Sequence, residues 1–281
     1  VTPAEDAPER SVDLTGITAG AGEVQPLRVT ALSGNTSLIA APAIDYTTPN
    51  STGTLRFTPV ANKHGSTTIT VRVEDGGPDL DLATAADNET FSRTFNVTVT
   101  PVNDLPTLNP LSGVTLDEEA PQQTVSLSGI SAGGGENQPL RVSATSSNTD
   151  LIPHPSATYT TANSTGSIAF TPVADQNGTA LITVTVTDGG LDGDLATTGD
   201  NLSFSRTFTV TVTAVNDAPV LDALSDLTIA EDAPLQTVNL TGIAAGGGEY
   251  QRRSVSVEQS AGLLGVCVVA AGCGFSIGRC R

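Results

Sequence analysis

The chemistry-bearing residues of this 281-residue sequence are mainly oxygen donors, and they recur at a fixed interval. Glu5-Asp6-Ala7-Pro8 returns as Glu118-Glu119-Ala120-Pro121 and as Glu231-Asp232-Ala233-Pro234, which sets the prolines 113 residues apart. Val102-Asn103-Asp104-Leu105-Pro106 returns as Val215-Asn216-Asp217-Ala218-Pro219, and Val73-Glu74-Asp75-Gly76-Gly77 as Val186-Thr187-Asp188-Gly189-Gly190. Such runs build turns by themselves. An Asx side chain bonds its own backbone, and a following proline fixes φ. The loop Asp188 to Asp194, with Asp79 and Asp81 in the first copy, is a further oxygen-rich cluster. It lacks the spacing and closing glutamate of an EF-hand and reads as a solvated acidic loop.

Other chemistries are excluded by what the sequence lacks. His64 and His154 are not at equivalent repeat positions, and no Gly-x-Ser-x-Gly, His-Glu-x-x-His or Gly-x-x-x-x-Gly-Lys occurs, so no enzymatic activity is expected. The Gly133-Gly134-Gly135-Glu136 loop is glycine-rich, but no helix follows it to hold a phosphate. The 12 Lys and Arg against 30 Asp and Glu give a net charge of −18, which rules out nucleic acid and anionic membrane surfaces as partners. Three Tyr and no Trp argue against a sugar-binding face, although Tyr46 and Tyr159 recur at one position.

The elements that carry these motifs read as strands. Thr183 to Thr187 and Phe208 to Thr213 alternate apolar and polar residues, the period of a half-buried antiparallel strand. Further strands read at 124–130, 140–145 and 167–172, separated by turn signals such as Asn177-Gly178. A period of 113 exceeds a solenoid unit and matches an independent domain. About seven short strands in such a unit is the count of an immunoglobulin-like sandwich. Without a Cys…Trp…Cys pattern, its core must be aliphatic residues and Phe. The expected fold is therefore all-β, with tandem Greek-key sandwiches. The unit boundaries are 1–102 (first strand missing), 103–215 (complete) and 216–250 (the start of a third), followed by a non-repeating tail over 251–281.

Taken together, the Val-Asn-Asp-x-Pro linkers in register with Asp-Gly-Gly and Glu-x-Ala-Pro resemble cadherin and cadherin-like repeats. They are most similar to bacterial tandem arrays in large surface proteins of the adhesin type. The resemblance covers residues 1 to about 250. It implies calcium at the junctions between units, held by oxygen ligands. Carried over by position, the first junction would use Glu5, Asn103, Asp104 and Asp188, and the second Glu118, Asn216 and Asp217. The counterpart of Asp188 falls beyond the end of the third copy, so the second site is expected to be weaker. Pro101 and Ala214, and Leu105 and Ala218, stand where a full cadherin linker has further oxygen ligands. Fewer carboxylates imply fewer or weaker ions.

The tail departs from the repeat. All three cysteines, Cys267, Cys273 and Cys280, lie there, with neither a disulfide pattern nor zinc spacing. Where the repeat calls for Gln-Pro-Leu-Arg-Val-Ser, the chain has Gln251-Arg252-Arg253-Ser254-Val255-Ser256, which codon choice can convert to the expected residues by a frameshift. The alternative is an anchor, since 261–278 carries no charge. Beginning with Val, the sequence reads as a fragment or processed piece. The function that follows is a repeat module of an extracellular or cell-surface protein, stiffened by calcium, with neighbouring repeats and a surface protein or glycan as partners. Two alternatives are a metal-independent spacer and an accessory carbohydrate-binding module of a secreted enzyme.

Overall fold

The computed structural model describes residues 1–247, 255, 267–271 and 274–278. Among them the chain is all-β. The first unit contains β1 (Arg10–Thr15), β2 (Leu27–Ser33), β3 (Ala43–Asp45), β4 (Thr52–Phe57), β5 (Gly65–Asp75) and β6 (Thr90–Val99). The second contains β7 (Val114–Asp117), β8 (Gln123–Ser128), β9 (Leu140–Ser146), β10 (Ser156–Thr158), β11 (Thr165–Phe170), β12 (Gly178–Asp188) and β13 (Ser203–Thr213). A hairpin of β14 (Cys267–Ala271) and β15 (Gly274–Gly278) lies in the tail.

The second unit is a seven-stranded sandwich of immunoglobulin type. One sheet has the order β10-β11-β8 and the other β7-β13-β12-β9. All its pairings are antiparallel except one: β7 runs parallel to β13, with Val114 opposite Val210 and Asp117 opposite Thr213. The first unit repeats the plan as β1-β4-β3 and β2-β5-β6. Residues 1–5 take the place of β7 there. Thr98 N donates to Val1 O, Thr100 N to Pro3 O and Glu5 N to Thr100 O, with Ala4 bridging Thr100 in parallel. Residues 1–5 thus supply the outline of the strand that β7 forms in the second unit.

Alternation explains both the core and the delivery of the functional residues. In β12 the inward positions are Ala180, Ile182, Val184 and Val186, all buried. The next inward position is Asp188, which is 0 % exposed. The same two-residue period that stabilises the core, by about 1.5–3 kcal/mol per buried aliphatic side chain, thus carries a carboxylate to the end of the sandwich. There Asp188 Oδ1 accepts from Gly190 N (3.0 Å) and Leu202 N (2.9 Å), an Asx turn. Asp75 makes the same turn in the first unit with Gly77 N and Glu89 N. Each unit has its own core, one around Ile69, Leu55 and Val97, the other around Ile182, Ile168 and Val210.

Residues 216–247 form no strand; the only pairing there is the bridge Val220–Ala244. Leu221, Leu224, Leu227 and Ile229 of this segment are exposed. The proposed frameshift, beginning at Gln251, lies almost wholly outside the described residues. In the uncharged stretch 261–278, those that are described form the hairpin, and no described helix is long and apolar enough to cross a membrane.

Candidate metal centres

Three segments meet where the first unit abuts the second. From below comes Glu5, placed by the parallel pairing of residues 1–5 with β6 and 2 % exposed. The linker supplies Asp104. From above comes Glu136, in the glycine-rich loop before β9. One carboxylate oxygen of each lies within 4.8 Å of the others. Two oxygens on one calcium ion, each bonded at about 2.3–2.6 Å, stand at most about 5 Å apart, so this spacing fits a shared ion.

The fixed contacts leave oxygens unused. Glu5 Oε1 accepts from Val102 N at 2.8 Å, and its Oε2 lies 3.6 Å from His64 Nδ1. Glu136 Oε2 accepts from Asp104 N at 3.1 Å. Asp104 Oδ2 is buried and meets no donor. It occupies the space into which a side chain at Gly134 would project, and the Asn62 carboxamide oxygen borders the same space. Burial, together with the charges of Asp6 and Glu5, pushes the Asp104 carboxyl above its ordinary value. Burial does the same to Glu136, aided by the charges of Asp104, Glu5 and Asp188 and opposed by its bond from Asp104 N.

The second junction repeats two of these three positions, and its third acid, Glu119, is the counterpart of Asp6. Glu118, Glu119 and Asp217 bring their oxygens within 4.8 Å of one another. Glu118 is 1 % exposed; its Oε1 accepts from Val215 N at 2.8 Å, and its Oε2 meets no donor. Asp217 Oδ2 is likewise buried and without a donor, lying against Gly247 as Asp104 lies against Gly134, with Asp175 Oδ1 in the place of the Asn62 oxygen. The Glu119 carboxyl is raised by desolvation and by the charges of Asp217 and Glu118. Among the described residues, no Lys or Arg pairs with any of these three acids. Like charges this close repel one another. A divalent cation removes that repulsion.

Of the residues expected from the sequence, Glu5 joins Asp104, and Glu118 joins Asp217. Asn103 and Asp188 meet each other instead. Asn103 Nδ2 donates to Asp188 Oδ1 (3.1 Å) and to Asp200 O (2.8 Å), while Asn103 Oδ1 accepts from Gln138 Nε2 (2.7 Å). Both ends of the Asn103 amide are thereby engaged within the second unit. Asp188 keeps one buried oxygen, Oδ2, without a donor. Asn216 donates to Asp217 O at 3.3 Å. The set had no place for Glu119, Glu136, Asn62 or Asp175. Glu136 had a legible signal, since Glu23, Glu136 and Glu249 recur 113 residues apart.

All the gathered donors are oxygens, and several are buried without partners, which is the donor set of a hard cation such as calcium. The second oxygen-rich loop is satisfied internally: Asp192 accepts from Asp194 N and Thr197 Oγ1, and Asp194 accepts from Ala196 N. The hydroxyls of Tyr46 and Tyr159 donate to Asn50 O and Asn163 O, both at 2.9 Å, and so fasten turns.

No family model matches the chain, and no curated protein matches it in sequence. Solved structures similar to it include mouse Cadherin-23 EC22-24, at 14% identity over 90% of this chain and 75% of that one, with a TM-score of 0.42. Domains 4 and 5 of the S-layer protein SbsC are 17% identical over 72% of this chain and 75% of theirs, with a TM-score of 0.29. The human Desmocollin-1 ectodomain is 14% identical over 91% of this chain, with a TM-score of 0.32, and this chain spans 46% of its length.

Proposed function

We propose that this chain is part of a tandem-repeat array on an extracellular or cell-surface protein, with units bounded at 1–102, 103–215 and 216–250, a tail over 251–281, and a calcium ion stiffening each junction. The observation that carries this reading is the recurrence, 113 residues apart, of a buried glutamate beside a linker aspartate whose Oδ2 is buried without a donor (Glu5 with Asp104, Glu118 with Asp217), each pair joined by a third carboxylate. Glu5, Asp104 and Glu136 would hold the first ion, with Asp188 Oδ2 and Asn62 close to the same junction. Glu118, Glu119 and Asp217 would hold the second, with Asp175 beside them. The bound ion supplies positive charge between carboxylates that otherwise repel. Each unit contributes carboxylates, so binding fixes one unit against the next. The partners of such a module are its neighbouring repeats and, at the array's surface, another cell-surface protein or glycan. The work is adhesive or structural, not catalytic.

A metal-independent spacer has one observation in its favour. The Asn103–Asp188–Gln138 network ties the linker to the second unit without an ion. Thermal unfolding of the full chain in EDTA and in rising calcium separates the two readings. An ion bound only to the folded state at a hundredfold excess over Kd adds about 2.7 kcal/mol per site, which raises Tm by several degrees in units of this size. An unchanged Tm leaves the spacer.

A further inference from the structure

The outer face of the four-stranded sheet in the second unit is almost free of charge. In β12 the outward positions from Thr179 to Thr187 are all Thr except Leu181, and in β13 those from Ser203 to Thr213 are all Ser or Thr. The outward positions of β9 are Arg141, Ser143 and Thr145, and those of β7 are Thr115 and Asp117. Arg141 and Asp117 are therefore the only charged residues that these four strands turn outward, in a chain of net charge −18. The first unit does not share this property. Arg72 and Glu74 stand there in the positions of Thr185 and Thr187, and Glu74 lies 2.7 Å from Arg28 and 3.7 Å from Arg72.

Register fixes where the two charges lie. Arg141 is opposite Thr187, on the edge strand β9. Asp117 is on the other edge strand, β7, opposite Thr213, which lies at the far end of β13 from Ser203, the partner of Thr187. Opposite charges thus occupy diagonally opposite corners of the face. Leu181, 45 % exposed, stands close to midway between them. Asp117 Oδ1 accepts from Thr213 Oγ1 at 2.6 Å, and Arg141 makes no ion pair among the described residues.

Covering this face costs little. No charged side chain at its centre has to leave water. Ser and Thr are short, so little rotamer freedom is lost. Part of their hydrogen bonding is met within the face, since the hydroxyls of Thr185 and Ser205 lie 2.8 Å apart, as do those of Thr187 and Ser203. That lowers the penalty of removing them from water. The four strands present about 500–600 Å2, so two such faces together cover about 1,000–1,200 Å2, the lower end for a specific complex.

We infer that this face binds the same face of a second copy of the chain across a two-fold axis. The axis lies in the plane between the two faces, at right angles to the diagonal that joins Arg141 and Asp117. It sets Arg141 of each copy against Asp117 of the other, forms both ion pairs at once and brings the two Leu181 side chains together near the centre. Two copies of so acidic a chain repel each other, and a neutral face with complementary corners is where that repulsion is least. The contact is isologous and closes at a dimer.

The test is analytical ultracentrifugation of the full chain in EDTA, where no ion contributes. The chain should pass from monomer to dimer as its concentration rises, with no larger species. Leu181→Glu should abolish the dimer. Arg141→Asp and Asp117→Arg, each with the melting curve of a folded chain, should weaken self-association by about tenfold or more, because each sets like charges together at both corners. An equimolar mixture of these two variants should dimerise as tightly as the wild-type chain, because the mixed pair regains both ion pairs. A chain that stays monomeric up to its solubility limit overturns the inference. So does association that continues past the dimer, a dimer indifferent to Leu181→Glu, or a mixture that associates no better than its folded components.

Discussion

Asp104 Oδ2 fills the space that a side chain at Gly134 would need, and Asp217 Oδ2 fills it at Gly247. Both glycines have positive φ, +41° and +40°. A methyl group there has two effects: it strains a left-handed backbone, by about 1–2 kcal/mol, and it expels the carboxylate from the junction. Gly134→Ala should therefore lower Tm in EDTA and also remove the calcium-dependent rise of the first junction. The check is a pair of melting curves with and without calcium, with Gly247→Ala as the matching variant for the second junction.

Glu118→Gln separates the ligand role of Glu118 from its structural one. The glutamine oxygen still accepts from Val215 N, so the fold should hold in EDTA. Calcium affinity at the second junction should fall about tenfold, or about 1.4 kcal/mol, as read by calorimetric titration. Glu118→Ala should also lose stability without calcium, by about 1 kcal/mol, because it removes the acceptor of the partly buried Val215 N–H.

Acid should act in opposite directions with and without the ion. Asp104 and Glu136 have folded-state pKa values raised above the ordinary 3.8 and 4.5. Such groups bind protons more readily in the folded chain. Their stabilising contribution is complete below those ordinary values and is lost as pH rises through the raised ones. In EDTA, Glu136→Gln should therefore raise Tm at pH 7, and the gain should disappear as pH falls toward about 4.5. In calcium the same substitution should lower Tm at pH 7. Melting curves across this pH range, in both solutions, give the crossing.

The Asn103 amide should matter whether or not calcium is present. Asn103→Ala removes a donor to Asp188 and the acceptor of Gln138. The expected loss is about 1–3 kcal/mol, confined to the transition of the second unit and equal in EDTA and calcium. Asn103→Asp turns the amide donor into a carboxylate facing Asp188, so in EDTA it should cost more than the alanine.

Much of the fold was legible because alternation is a local signal. Thr183 to Thr187 and Phe208 to Thr213 lie in β12 and β13, and the buried positions are the apolar ones. The parallel run of β7 on β13 was not legible, because four residues carry no mark of direction. Glu5, Asp104, Glu118 and Asp217 were readable as recurrent acids near proline. The contact of Glu5 and Asp104 with Glu136 was not, because it depends on how two sandwiches stack. Asn62 and Asp175 escaped because the repeat position changes residue type while keeping a positive φ of 58° and 60°. The pairing of Asn103 with Asp188 spans 85 positions and is set by the orientation of one amide, which Gln138 fixes.

The parallel ladder between β7 and β13 also decides how the second unit bears tension. The chain enters this unit ahead of β7 and leaves it after β13, and these are the two strands that lie side by side. Because they run the same way, pulling on the two ends slides one strand along the other. The rungs from Val114–Val210 to Asp117–Thr213 are then loaded together, in shear, and none can be peeled off singly from an end. Residues 1–5 and β6 have the same arrangement. A pull between the two ends of either unit thus meets the most resistant direction of that sheet, and Glu5 and Glu118 follow directly on those parallel pairings.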